Sequence, residues 1–184
     1  MRNFFLGAAS ALLLIAAAVG IAIWTGAYNF AASQAHPGAV REGIDTALQR
    51  SVAARAEGLR APAVTPEQLR HGAGEFIEYC VHCHGGPGVQ PHEWTRGMRP
   101  QPPHLAEAAT RWTTEEVFWI VKHGIGMTGM PSFGTTASDE TIWHIAAFVK
   151  RLPQTSTAEF ARLQAELGSD GATEGHSHAA GEGH

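Results

Sequence analysis

Cys80-Val81-His82-Cys83-His84 is the stretch of this chain with the clearest chemical capability. Two thiols three residues apart share one helical turn, and an imidazole follows at once. In C-x-x-C-H, each thiol can add across one vinyl group of a haem while the His ligates the iron from beneath. The macrocycle fixes the separation of the vinyl carbons, which is why the cysteine spacing matters. Three other chemistries use close cysteines. A thiol–disulfide site places C-x-x-C at the N-terminus of a helix that follows a strand. Here the pair closes a helix-forming stretch, and no strand is evident. A zinc site needs a second ligand pair. His92 and His104 are at hand, but the core has no second C-x-x-C and no H-x₃₋₅-H. A local disulfide across C-x-x-C is strained. Haem attachment at Cys80 and Cys83, with His84 as axial ligand, is the expectation. A backbone carbonyl of the following loop, at Pro103 or a neighbour, is expected to accept the other imidazole N–H and orient the ring.

An iron held on one side needs something on the other. Gly126-Met127-Thr128-Gly129-Met130-Pro131-Ser132-Phe133-Gly134 offers two thioethers. Pro131 forces an extended turn after Met130 and can aim that side chain inward. Met130 is the expected distal ligand, with Met127 as the alternative. Met98 lies in a long loop, and His123 ends a helix; each is a more remote option. Either Met of the Gly126–Gly134 stretch could instead be plain packing. A thioether would raise the reduction potential and close the site to external ligands.

The elements that position these residues read as helices. Thr65-Pro66-Glu67-Gln68 is a capping box with Pro at the first helical position, and its helix runs to about Tyr79. Thr113 to Glu116 is a second box, leading to a terminator at Gly124. Ser138 caps a third helix, which ends before Pro153. No run alternates at period two, so the expected fold is all-α with long loops. The longest loop, about Gly85 to Thr110, holds five of the ten prolines, and no helix is expected in it. Val40 to Leu59, with Ile44, Leu48 and Val52 four apart, reads as an additional juxtamembrane helix. Thr157 is expected to cap a last helix, Ala158 to Leu167, stopped by Gly168. Ser169 to His184 has no apolar residue larger than Ala and is expected to be a disordered, His-rich tail.

The first 24 residues are of another kind. Phe4 to Trp24 is 21 residues without a charge. As a helix it reaches roughly 31 Å, enough to cross a hydrocarbon core. Arg2 before it, and Trp24 and Tyr28 after it, predict a single span with the bulk of the chain outside. A signal peptide cleaved near Ser33-Gln34-Ala35 is the alternative, though its apolar region would be unusually long. The 184 residues carry 13 Lys+Arg against 17 Asp+Glu, a net of −4. That argues against a nucleic-acid partner. Two cysteines in all exclude a multi-disulfide scaffold.

Residues 66–153 resemble a class I c-type cytochrome. The likeness rests on Gly72, Phe76 and Cys80 at four-residue spacing, then Cys80-x-x-Cys83-His84, then Gly129 to Gly134 around Met130, then the helix from Trp143 to Leu152. It implies one covalently attached haem c, with Cys80 and Cys83 as thioether attachments and His84 and Met130 as iron ligands. It implies that the first and last core helices cross, Gly72 admitting Trp143 or Phe148. The whole chain resembles membrane-anchored monohaem cytochromes of bacterial respiratory chains. On that likeness, residues 1–28 are a transmembrane anchor in the bacterial inner membrane, 29–65 a juxtamembrane linker, 66–153 a periplasmic haem domain and 154–168 a C-terminal helix. The partners are then a redox protein donor and acceptor and the membrane, with no small-molecule substrate. A haem enzyme or sensor with a displaceable distal ligand, or a subunit of a larger oxidoreductase, is the alternative.

The remaining candidates are less specific. Trp94, Arg96, Arg99, Arg111 and Lys122 are expected to include one or two partners for the haem propionates. Gln101 to Leu105 is expected to form a stiff wall, and Trp112, Phe118, Trp119 and Phe133 to pack around the porphyrin. His71, His82 and His144 read as ordinary helix residues. His176, His178 and His184 could hold a metal weakly. The core has seven basic and nine acidic residues, so no strongly basic docking face is evident.

Overall fold

The computed structural model describes residues 1–34 and 38–167. Gly168 and the His-bearing tail lie outside the described residues. Two units emerge, Met1–His36 and Pro37–His184. The first contains helix α1, Arg2–Trp24, whose residues are all unburied. It is the one described helix long and apolar enough to cross a membrane.

The second unit is built from α2 (Gly38–Ala56), α3 (Pro66–Glu75), α4 (Val81–His84), α5 (Leu105–Ala108), α6 (Thr114–His123), α7 (Asp139–Arg151) and α8 (Thr157–Leu167). No strand occurs among the described residues beyond one isolated bridge, Gly86 with Val89. Both capping boxes form: Thr65 with Gln68, and Thr113 with Glu116, each through reciprocal side-chain bonds. The Ser138 side chain accepts from Thr141 N–H at 3.1 Å. These caps satisfy helix-end donors that have no partner within the helix.

The core gathers Phe76, Val117, Phe118, Val121, Ile142, Ile145, Phe148, Val149, Leu152 and Phe160. The apolar faces of α3, α6 and α7 meet here. Val52 and Ala56 of α2 are buried too, and α2 packs on α6. Phe160 brings α8 into the same core, its ring 6.1 Å from that of Phe76.

The structure departs from the sequence expectations in several places. The first core helix is not uniformly α: Phe76–Cys80 is a π-helical turn between α3 and α4. The long loop contains short helical turns at Glu93–Gly97, Leu105–Ala108 and Ala109–Arg111. Glu93–Gly97 fits between Pro91 and Pro100, and the other two follow Pro103 in a stretch free of proline. The last helix starts at Thr157, and Ser156, not Thr157, is its cap, accepting from Glu159 N–H at 3.2 Å. The helix expected over Val40–Leu59 spans Gly38–Ala56, stopping short of Leu59. Gly72 does make a close crossing, but against backbone rather than an aromatic. A Cβ there would overlap the His144 carbonyl and lie 3.0 Å from Ile145 N.

Candidate haem site

Cys80 ends the π-helical turn, and Cys83 and His84 lie on α4 directly after it. Both cysteines are free thiols. Cys80 is buried and Cys83 half-buried. Burial first, then the neighbouring Cys83 and Glu75, push the Cys80 thiol up to about 12. Burial raises Cys83 as well. A thiol–disulfide centre works by the opposite shift.

His84 is oriented from behind. Its Nδ1 donates to the Pro103 carbonyl at 2.8 Å. That bond commits Nδ1 to the protein and leaves the Nε2 lone pair as the available donor. Burial holds the imidazole below its ordinary range, against the opposing pull of the Pro103 bond. A neutral imidazole is the form that ligates a metal.

The second candidate ligand sits in a self-bonded loop after α6. Ile125 N donates to Met130 O at 3.2 Å, Thr128 N to Ile125 O at 3.2 Å, and Met130 N to Thr128 Oγ1 at 3.1 Å. Gly124 opens the loop at φ +65°, where a Cβ would meet the Met130 and Pro131 carbonyls within 2.8 Å. Ser132 Oγ donates to Lys122 O at 2.7 Å and pins the far end of the loop to α6. The two methionines part company here. Met130 is half-buried and packs against the core. Met127 sits at φ 61° on the loop and is 98% exposed. Met98 reaches over from the long loop and rests its methyl on Gly129.

The residues fit a covalently held haem on these observations. Two unoxidised thiols lie on adjoining turns, one imidazole is committed at Nδ1, and a thioether sits in a pinned loop of the same domain. A family model described as cytochrome C oxidase, cbb3-type, subunit III matches residues 67–149. This domain is a class I c-type cytochrome. Class I cytochromes carry covalently bound haem c, and their work is electron transfer. The comparison with curated proteins returns no match for the chain.

Other expected contacts of the cytochrome domain find definite places. Phe118 is buried and stacked on Trp143, centroids 3.9 Å apart. Phe133 meets Tyr79 edge-on at 6.1 Å. Trp119 leans on His123 at 4.8 Å, and Trp112 packs at the core's edge. Among the propionate candidates, Lys122 is engaged with Asp139 at 2.7 Å and lies over the Phe118 ring. Arg99 donates to the carbonyls of Arg96 and Met98. Trp94, Arg96, Arg99 and Arg111 are exposed.

The Ser132 pin was not expected, and His71, His82 and His144, which lie in helices as expected, each meet a second imidazole. His82 Nδ1 lies 3.1 Å from His92 Nε2. His71 and His144 pair across two helices, Nδ1 to Nδ1 at 3.3 Å. The i, i+4 carboxylate beside His71 was a legible signal, but the meeting of residues 71 and 144 depends on where the helices cross.

Proposed function

We propose that this chain is a membrane-anchored monohaem cytochrome c that passes single electrons between respiratory proteins on the periplasmic side of a bacterial inner membrane. The observation that carries the reading is the run Cys80, Cys83, His84, with the imidazole committed at Nδ1 to the Pro103 carbonyl at 2.8 Å. Bound haem supplies a one-electron iron couple. Cys80 and Cys83 would hold it by thioether bonds, and His84 and Met130 would supply the ligands to its iron. A single C-x-x-C-H, using both cysteines of the chain, supports one haem. Filling both axial positions from the protein leaves no role for a small-molecule substrate.

The length and apolarity of Arg2–Trp24 support an uncleaved anchor. Arg2 ahead of the span, with Trp24 and Tyr28 behind it, supports an inside N-terminus and an exported haem domain. A tether of this kind raises the effective concentration of the domain near membrane partners.

The test is direct. Denatured protein is extracted with acidified organic solvent, and the red colour is expected to stay with the polypeptide. The oxidised native protein is expected to show the weak far-red band of thioether-ligated ferric haem, and the reduced form to refuse carbon monoxide. Colour that extracts freely overturns the attachment. Ready carbon monoxide binding favours an open-haem enzyme or sensor instead.

The family match favours a second reading, in which the chain is a lasting subunit of an oxidase complex. Mild detergent extraction separates the two: a subunit co-purifies with larger partners, and a shuttle emerges alone.

A further inference from the structure

Among the described residues, no three His, Cys, Asp or Glu side chains form a ready metal cage. An approach to one stands at the α3–α7 crossing. His71 and His144 bring their Nδ1 atoms to 3.3 Å, their rings nearly perpendicular at 88°. On the outer side of each ring is a carboxylate. His71 Nε2 lies 3.6 Å from Glu75 and His144 Nε2 lies 4.0 Å from Glu140.

Counting protons exposes a deficit. Two neutral imidazoles own two N–H groups between them. If both face outward to the carboxylates, two lone pairs confront each other across the gap. If one turns inward to bridge the gap, the other face of that ring presents a lone pair to a carboxylate. A cation placed between the two Nδ1 atoms lets both N–H groups face outward.

We propose that this gap takes a divalent transition-metal ion of the zinc class, ligated by Nδ1 of His71 and Nδ1 of His144 and completed by water. Two nitrogens each about 2.0–2.1 Å from a tetrahedral ion stand about 3.3–3.4 Å apart, which matches the observed 3.3 Å. Both Nε2–H groups then face the carboxylates of Glu75 and Glu140, at 3.6 and 4.0 Å, near enough for a side-chain rotation to bring them into the outer hydrogen bonds that orient metal-bound histidines. The platform is rigid, since Gly72 sets the backbone of α3 directly on the His144 carbonyl. Little ordering is therefore needed on binding. Solvent reaches the site through His71, whose side chain is 51% exposed. A groove lined in part by Val64, Gln68 and Glu140 opens beside the buried His144.

The experiment titrates Zn²⁺ into the full-length protein in detergent at neutral pH, with calorimetry for stoichiometry and thermal melting in parallel. His71→Ala is expected to remove one zinc equivalent and abolish the zinc-dependent rise in melting temperature. Glu75→Gln is expected to retain the equivalent but weaken it roughly tenfold to a hundredfold. His92→Ala is expected to change neither. If wild type and His71→Ala bind the same number of ions with the same rise in melting temperature, the proposal is overturned. Binding would then belong to the tail histidines or to the His82–His92 pair. A wild-type protein that binds no zinc overturns it equally. Neither outcome bears on the haem reading, which rests on other residues.

Discussion

Ser132 Oγ donates to the Lys122 carbonyl at 2.7 Å, fastening the Met130 loop to the last turn of α6. Lys122 also reaches Asp139 in the first turn of α7. One joint thus ties the loop to two core helices. Ser132→Ala leaves the Lys122 carbonyl without this donor and loosens the loop. The far-red band is expected to disappear at a lower denaturant concentration than in the wild type, with covalent haem retained. A band that persists equally would mean the pin does not hold the thioether.

Met130→Ala is expected to abolish the far-red band, keep the haem attached and let the reduced protein bind carbon monoxide. Met127→Ala is expected to do none of these, because Met127 is 98% exposed. Absorption spectra of the two variants decide between the sulfurs.

Cys80→Ala and Cys83→Ala are each expected to weaken haem retention on a denaturing gel stained for peroxidase activity. The double variant is expected to show no stained band at all. Persistent staining of the double variant would contradict thioether attachment.

Gly72→Val places side-chain atoms where the His144 carbonyl already stands. Neither helix backbone can move aside cheaply. The expected destabilisation is about 1–3 kcal/mol or more, read as a lower denaturation midpoint with unchanged slope.

Glu115 gives a pH dependence of definite sign. Backbone N–H groups, its own and that of Ala61, hold its carboxyl below the ordinary range. A depressed folded-state value means that folding favours the carboxylate. The stabilisation is present at neutral pH and fades as pH falls through the ordinary carboxylate range towards the lowered value. Glu115→Gln is therefore expected to melt below the wild type at pH 7, with the gap closing in acid. The group is largely solvated, so the effect is small.

Much of this arrangement was legible in the sequence. Thr65 with Gln68, Thr113 with Glu116, and Ser138 each carry their cap partners within three residues, so local pattern sufficed. The Pro103 contact with His84 was also anticipated, since a metal-binding imidazole needs an acceptor behind it. Other features depended on non-local geometry. Gly72 advertises a close approach, yet only the actual crossing reveals that a carbonyl, and not an aromatic ring, fills the space. Phe160 lies in a helix that reads as an appendage, but its ring completes the core against Phe76. Nothing in Phe76-Ile77-Glu78-Tyr79-Cys80 marks it as π-helical, because that turn follows from packing on both sides.

That turn has a consequence for the azimuth of everything after it. Val81 N–H reaches back five residues to Phe76 O, so the spiral accommodates one more position than an ordinary turn would. Each residue advances a helix by about 100°. The wide turn takes up that extra position within about one revolution, so Cys80 through His84 stand nearly where an α-helix one residue shorter would set them. A further insertion, with no second wide turn to absorb it, would swing Cys80, Cys83 and His84 round by about 100° while leaving each side chain intact.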